Sequence, residues 1–171
     1  MTYDFGELAA AFAEIPCGFA EKAANAIKAH NRIFVYGAGR SGLMIKAFAM
    51  RLAQAGYTVY AVGEVTTPAI TEGDLLVLAS ASGETASVIR CAETARAVGA
   101  DVLALTASAH ATLVSIADEI AILSAPTKNE QGSGAVMGTV FEQAVLLYCD
   151  KIVEALGADT AKMRARHANL E

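Results

Sequence analysis

The stretch Ile33-Phe34-Val35-Tyr36-Gly37-Ala38-Gly39-Arg40-Ser41-Gly42 carries the change of pattern that decides the fold. Four consecutive apolar residues suit a strand covered on both faces, which does not alternate as a half-exposed strand would. The glycine-rich turn after them leads into a helical segment, Ser41 to Ala55, and Gly56 stands where that helix should end. Outward from this unit the alternation repeats. Strand-length runs occur at Val59 to Val62, Leu75 to Ala79, Val102 to Leu105 and Ile120 to Leu123. Helical segments lie at Thr85 to Val98, followed by Gly99, and around Thr112 to Ala117. Strand–helix–strand order of this kind predicts an α/β protein with a parallel sheet and right-handed crossovers.

Before this core, Phe5, Leu8, Phe12 and Ile15 share one helical face that stops at Pro16, and a second helix runs from about Phe19 to Ala29. After it come a loop of small and polar residues, Ser124 to Gly138, a long helix from Thr139 to Leu156, and Gly157. The expected organisation is a single domain over residues 1–171. It has N-terminal helices in 1–30, a sheet-and-helix core in 31–156 and a C-terminal tail in 157–171.

The chain's 171 residues can build one substantial core. Only 18% are charged and 54% are apolar, so part of the surface is expected to be covered by other copies of the chain. A net charge of −5 argues against nucleic acid and acidic membrane surfaces as partners. Cys17, Cys91 and Cys149 have no metal-ligand spacing and are expected to be reduced, mostly buried thiols. With no basic leader and no apolar run of membrane-spanning length, the expectation is a cytoplasmic protein.

In an open parallel sheet, ligands bind beyond the carboxyl ends of the strands, near the point where strand order reverses. Two loops there are unusual. Gly37 to Gly42 matches the G-x-G-x-x-G dinucleotide pattern, and Glu64 stands about 20 residues on, where an acid would hold a ribose. Glycines that merely permit a tight turn and close helix packing give the same pattern. The second loop, Ser80-Ala81-Ser82-Gly83-Glu84-Thr85, offers three hydroxyls around a glycine at the start of a helix. Helix N-termini present unpaired amides and a partial positive charge, and so hold phosphate without lysine. An ordinary N-cap accounts for one hydroxyl, not three. With Ser41 opening the neighbouring helix, a phosphorylated ligand is the expectation.

Gly39-Arg40-Ser41-Gly42 together with Ser80-x-Ser82-Gly83-x-Thr85 resembles the sugar isomerase (SIS) domain family. Within it the chain is most similar to the 6-phospho-3-hexuloisomerases. That likeness is carried by Gly39-Arg-Ser-Gly-Leu-Met-Ile-Lys-Ala-Phe-Ala-Met-Arg-Leu52, Val62-Gly-Glu-Val-Thr-Thr-Pro-Ala-Ile70, Met137-Gly-Thr-Val-Phe-Glu142 and Arg166-His-Ala-Asn-Leu-Glu171. One departure is Ala135-Val136, where the family pattern has Gln-Pro. The resemblance implies a three-layer α-β-α sandwich with strand order 2-1-3-4-5 and a homotetramer built as a dimer of dimers. It also implies a cofactor-free interconversion of D-arabino-hex-3-ulose 6-phosphate and D-fructose 6-phosphate, a step in the fixation or detoxification of formaldehyde through ribulose monophosphate.

Moving a carbonyl from C3 to C2 takes a proton from C2 and returns one at C3, through an enediol. A single desolvated carboxylate can perform both transfers. The resemblance assigns this to Glu142, which by position alone reads as a helix-start glutamate. It also suggests His167, in the tail, as proton donor or charge partner to the enediol oxygens. The phosphate is expected at Gly39, Arg40, Ser41, Ser80, Ser82, Gly83, Glu84 and Thr85, with Lys128 as a further cation and Glu64 and Thr67 near sugar hydroxyls. No metal is expected. The competing readings are another SIS isomerase, acting on arabinose 5-phosphate, a non-catalytic sugar-phosphate sensor, and a dinucleotide-binding domain.

Overall fold

Each continuous apolar run divides its side chains between two cores, as strand periodicity requires. Ile33 and Val35 point to one face and Phe34 to the other; Leu75, Val77 and Ala79 oppose Leu76 and Leu78; Leu103 and Leu105 oppose Val102 and Ala104. The computed structural model describes residues 5–13, 15, 17–126 and 136–170. Their elements are α1 (Gly6–Ala13), α2 (Phe19–Ala29), β1 (Arg32–Gly37), α3 (Gly39–Ala55), β2 (Thr58–Ala61), β3 (Leu75–Ala79) and α4 (Ala86–Ala97). They continue with β4 (Asp101–Thr106), α5 (Thr112–Ile116), β5 (Glu119–Ile122), α6 (Thr139–Ala155) and α7 (Thr160–Ala165).

The strands form one sheet in the order β2-β1-β3-β4-β5, every pair parallel. Helices α1, α2, α3 and α6 bury Ala11, Ile27, Phe48, Leu52, Phe141 and Ile152 against one face, while α4 and α5 bury Val88, Ala92, Ala95 and Leu113 against the other. This is the three-layer arrangement and the strand order expected. Because β1 is flanked by β2 on one side and β3 on the other, the chain reverses direction across the sheet at β1/β3. A crevice opens there at the carboxyl ends.

The connection from β2 to β3 contains no helix. Turns replace it: Thr67 Oγ1 donates to Ala61 O at 2.6 Å, and the Asp74 carboxylate is held at its far end. Arg32 donates to Asp74 through Nε at 2.8 Å and Nη2 at 2.5 Å, and Thr71 N donates at 2.7 Å. Burial pushes the Asp74 carboxyl up, but donation from Arg32 and Thr71 outweighs it and holds the group below the usual aspartate range. With no helix above β2, the sheet face at Phe34, Tyr36 and Val62 borders an open apolar groove of about 510 Å³.

Strand and helix boundaries shift from expectation by a residue or two at most of their ends, as fraying ends do. The tail differs more. Asp159 accepts from Ala161 N at 2.8 Å and Lys162 N at 3.2 Å and so caps α7, a helix inside the segment read as a C-terminal tail. Cys149 is buried and Cys91 partly so, but Cys17 is exposed. Pro16, Lys128 and Ala135 lie outside the described residues. Among the described residues no helix is long and apolar enough to cross a membrane, and no cluster of His, Cys, Asp and Glu could hold a metal.

Candidate active site

The crevice at β1/β3 is a cavity of about 480 Å³ walled by three helix starts. Ala38 to Ser41 open α3, Ala79 to Ser82 and Thr85 lead into α4, and Val136 to Gly138 lead into α6, with Phe141 and Glu142 in its first turn. None of the three helices has a side-chain cap hydrogen bond at its N-cap. Apart from Thr139 N, which donates to Val136 O at 3.1 Å, and Val88 N, which donates to Thr85 O at 2.9 Å, their first amides and their dipoles therefore remain available to an anion. Among the described residues lining the cavity, Arg40 is the only cation and Glu142 the only acid.

Glycines allow these loops to close. A Cβ on Gly42 would lie 2.3 Å from Gly37 O, so helix α3 can sit this close to β1 only without a side chain there. The G-x-G-x-x-G pattern is thus accounted for by packing, and Glu64, which a dinucleotide would need for its ribose, is paired with Lys46 at 2.5 Å. Gly83 has φ +63°, and a Cβ on it would lie 2.4 Å from Ala111 Cβ.

The hydroxyl loop is knitted to itself. Buried Ser80 Oγ accepts from Gly83 N at 3.2 Å and lies 3.1 Å from Thr85 Oγ1. Ser82 Oγ accepts from Glu84 N at 3.2 Å. Glu84 turns its carboxylate onto α5, accepting from Thr112 N at 2.6 Å and Thr112 Oγ1 at 2.9 Å. The bonds from Thr112, the backbone one first, hold its carboxyl below the usual glutamate range. Glu84 and Gly83 do not line the cavity; they set the loop's shape, whereas Ser80, Ser82 and Thr85 line it.

Opposite the hydroxyls stands Glu142, its side chain 12% exposed and Phe141 beside it fully buried. Arg40 Nε lies 2.6 Å from Glu142 Oε2, with the Arg40 side chain 62% exposed. This is a charge contact rather than an aligned hydrogen bond, for among the described residues no donor is aligned on that buried oxygen. The approach to Glu142 is formed by Val136 and Met137, both largely exposed, and Met137 adopts a left-handed φ of 48°, uncommon for a side chain of its kind. These two residues were not singled out as wall residues in the sequence, though they adjoin and open the Met-Gly-Thr-x-Phe-Glu segment.

His167 lies elsewhere. Arg166 donates to Gln54 O at 3.2 Å and covers Gly56, at the far end of α3 from Gly39. A helix of 17 residues spans about 25 Å, which places His167 far from its own chain's cavity. Thr67 lines the apolar groove on the other sheet face, not this cavity.

The arrangement has close relatives. Residues 26–148 match the family model described as the SIS domain. The chain is 42% identical over 147 residues to a protein of Mycobacterium gastri named 3-hexulose-6-phosphate isomerase, covering 82% of this chain and 74% of that one. It is 41% identical over 161 residues to a protein of the same name from Bacillus subtilis, covering 89% and 86%. Among solved structures, a Methanococcus jannaschii protein described as inferring a molecular function of 3-hexulose-6-phosphate isomerase superposes with a TM-score of 0.80 at 32% identity, covering 90% of this chain and 86% of that one. With its parallel sheet, its two hydroxyl-bearing turns and this match, the chain belongs to the SIS domain family.

Proposed function

We propose that this protein is an isomerase that interconverts D-arabino-hex-3-ulose 6-phosphate and D-fructose 6-phosphate. The observation that carries the reading is the single cavity that joins a hydroxyl loop and three helix N-termini to one nearly buried carboxylate, in a chain so similar to enzymes of that name.

The phosphate sits against Ser41, Ser82 and Thr85, where helix amides and hydroxyls donate to its oxygens, with Arg40 above. Ser80 keeps the loop folded around it, and Gly39, Gly83 and Glu84 fix the turns. The six-carbon chain then extends toward α6, bringing C2 and C3 beneath Glu142. Its carboxylate removes the C2 proton, the electron pair forms the 2,3-enediol as the C3 carbonyl oxygen takes up a proton, and the proton is returned at C3 as the C2 hydroxyl loses its own. The buried floor at Phe141 excludes water, so that the enediol is not lost to side reactions.

His167 is the proposed proton donor to the enediol oxygens. In this reading it serves the cavity of a neighbouring subunit, since its own lies far away, and the proposed tetramer would bring the two together. The direct test supplies hex-3-ulose 6-phosphate, generated from formaldehyde and ribulose 5-phosphate by a synthase, and follows fructose 6-phosphate. Its steady formation is expected; conversion of arabinose 5-phosphate instead, with no fructose 6-phosphate, would reject the substrate.

A further inference from the structure

Among the described residues the cavity holds one positive and one negative side chain, and they touch. Their exposures differ greatly. Glu142 is fixed in the first turn of α6 with its oxygen shut off from solvent, whereas Arg40 is a long side chain, 62% exposed, reaching across from the first turn of α3. Their contact lacks an aligned hydrogen bond, so little geometry holds the guanidinium where it lies. A sugar phosphate entering the same cavity brings a dianion to the α3 and α4 N-termini, and a guanidinium forms stronger, forked bonds to phosphate than this off-axis contact.

We infer that Arg40 is an exchangeable partner: it lies on Glu142 in the structure and transfers to the substrate phosphate on binding. This rests on the reading of Glu142 as the base. The exchange couples grip to chemistry. Bound phosphate draws the counter-charge away from Glu142 and uncovers Oε2 toward the sugar carbons. A sugar without phosphate leaves Arg40 in place over the base. Arg40 therefore acts as a positioning and specificity residue as well as a phosphate contact.

A double-mutant cycle on fructose 6-phosphate affinity, measured by calorimetry at fixed salt, tests this. Arg40→Gln should weaken binding about tenfold, and Arg40→Lys less, because lysine keeps the charge but not the fork. Glu142→Gln should tighten binding about fivefold by freeing Arg40, yet change it less than about twofold in the Arg40→Gln background. An equal or larger gain in that background would mean simple repulsion between Glu142 and phosphate, and would overturn the exchange. So would undiminished affinity in Arg40→Gln, which would mean that Arg40 never leaves Glu142. In turnover, Arg40→Gln should raise KM about tenfold with kcat within about threefold; a large fall in kcat at constant KM would make Arg40 a fixed support of the base and overturn the proposal. Turnover by Glu142→Gln would reject the base itself, while the affinity cycle would still report on Arg40.

Discussion

Two cavities of the molecule are nearly equal in size, about 480 Å³ at the carboxyl ends of β1 and β3 and about 510 Å³ on the sheet face left bare between β2 and α4. Their walls differ in kind. Three helix N-termini, several hydroxyls and an Arg–Glu contact converge on the first. The second is walled by Phe34, Tyr36, Val62, Ile70 and Leu76, with the outer turns of α4 on one side. The difference follows from topology. A parallel sheet aims its following helices' N-termini at the carboxyl edge, whereas a missing crossover helix exposes only the apolar strand face. Volume alone would not separate them; the direction of the backbone amides does.

Substitutions at the two cavities should have separable effects, on chemistry at one and on folding at the other. Glu142→Gln should lower turnover by about 10²–10⁴-fold while the variant still binds fructose 6-phosphate, as steady-state rates and calorimetry would show. Retained turnover would move the base elsewhere. On the groove side, Asp74→Asn should cost about 2–4 kcal/mol of folding stability, less than a fully buried pair because Arg32 is 29% exposed, with kcat little changed. The pH dependence has a definite sign. The folded Asp74 carboxyl lies below its ordinary value of 3.8, so its stabilisation is full above that pH and is lost as pH falls through the folded value. Denaturation curves in acid should therefore converge for wild type and Asp74→Asn, and a gap that persists unchanged would contradict the assignment.

Smaller effects sharpen the contrast. Ser82→Ala should weaken phosphorylated sugars by about 1–3 kcal/mol, the value of a hydrogen bond to a charged group, and leave unphosphorylated sugars unaffected. Thr94→Ala, on the exposed rim of the groove, should leave binding and turnover within about twofold.

The sheet was legible because its strands are buried on both faces, which leaves continuous apolar runs, and because Gly56, Gly99 and Gly157 mark helix ends with left-handed φ values. The hydroxyl loop was legible because three hydroxyls and a glycine precede a helix. The roles within it were not. Glu84 reads as a member of the loop, yet its side chain reaches Thr112, 28 residues on, a contact that only the docking of α5 creates. The same limit applies to Glu142 and Arg40, which lie on different helices and meet only through the packing of α3 on α6. Helix α7 had a local signal in Asp159, an N-cap before Thr160-Ala161-Lys162-Met163, overshadowed by the polar residues that follow.

Hydrogen exchange at fructose 6-phosphate reads out the proposed 2,3-enediol over Glu142. In deuterium oxide, over many turnovers, the wild-type protein should place deuterium at C3 of fructose 6-phosphate, and Glu142→Gln should not. Deuterium at C1 would indicate a 1,2-enediol, the mark of an aldose–ketose isomerase, and would contradict the account; so would a wild-type protein that exchanges neither position.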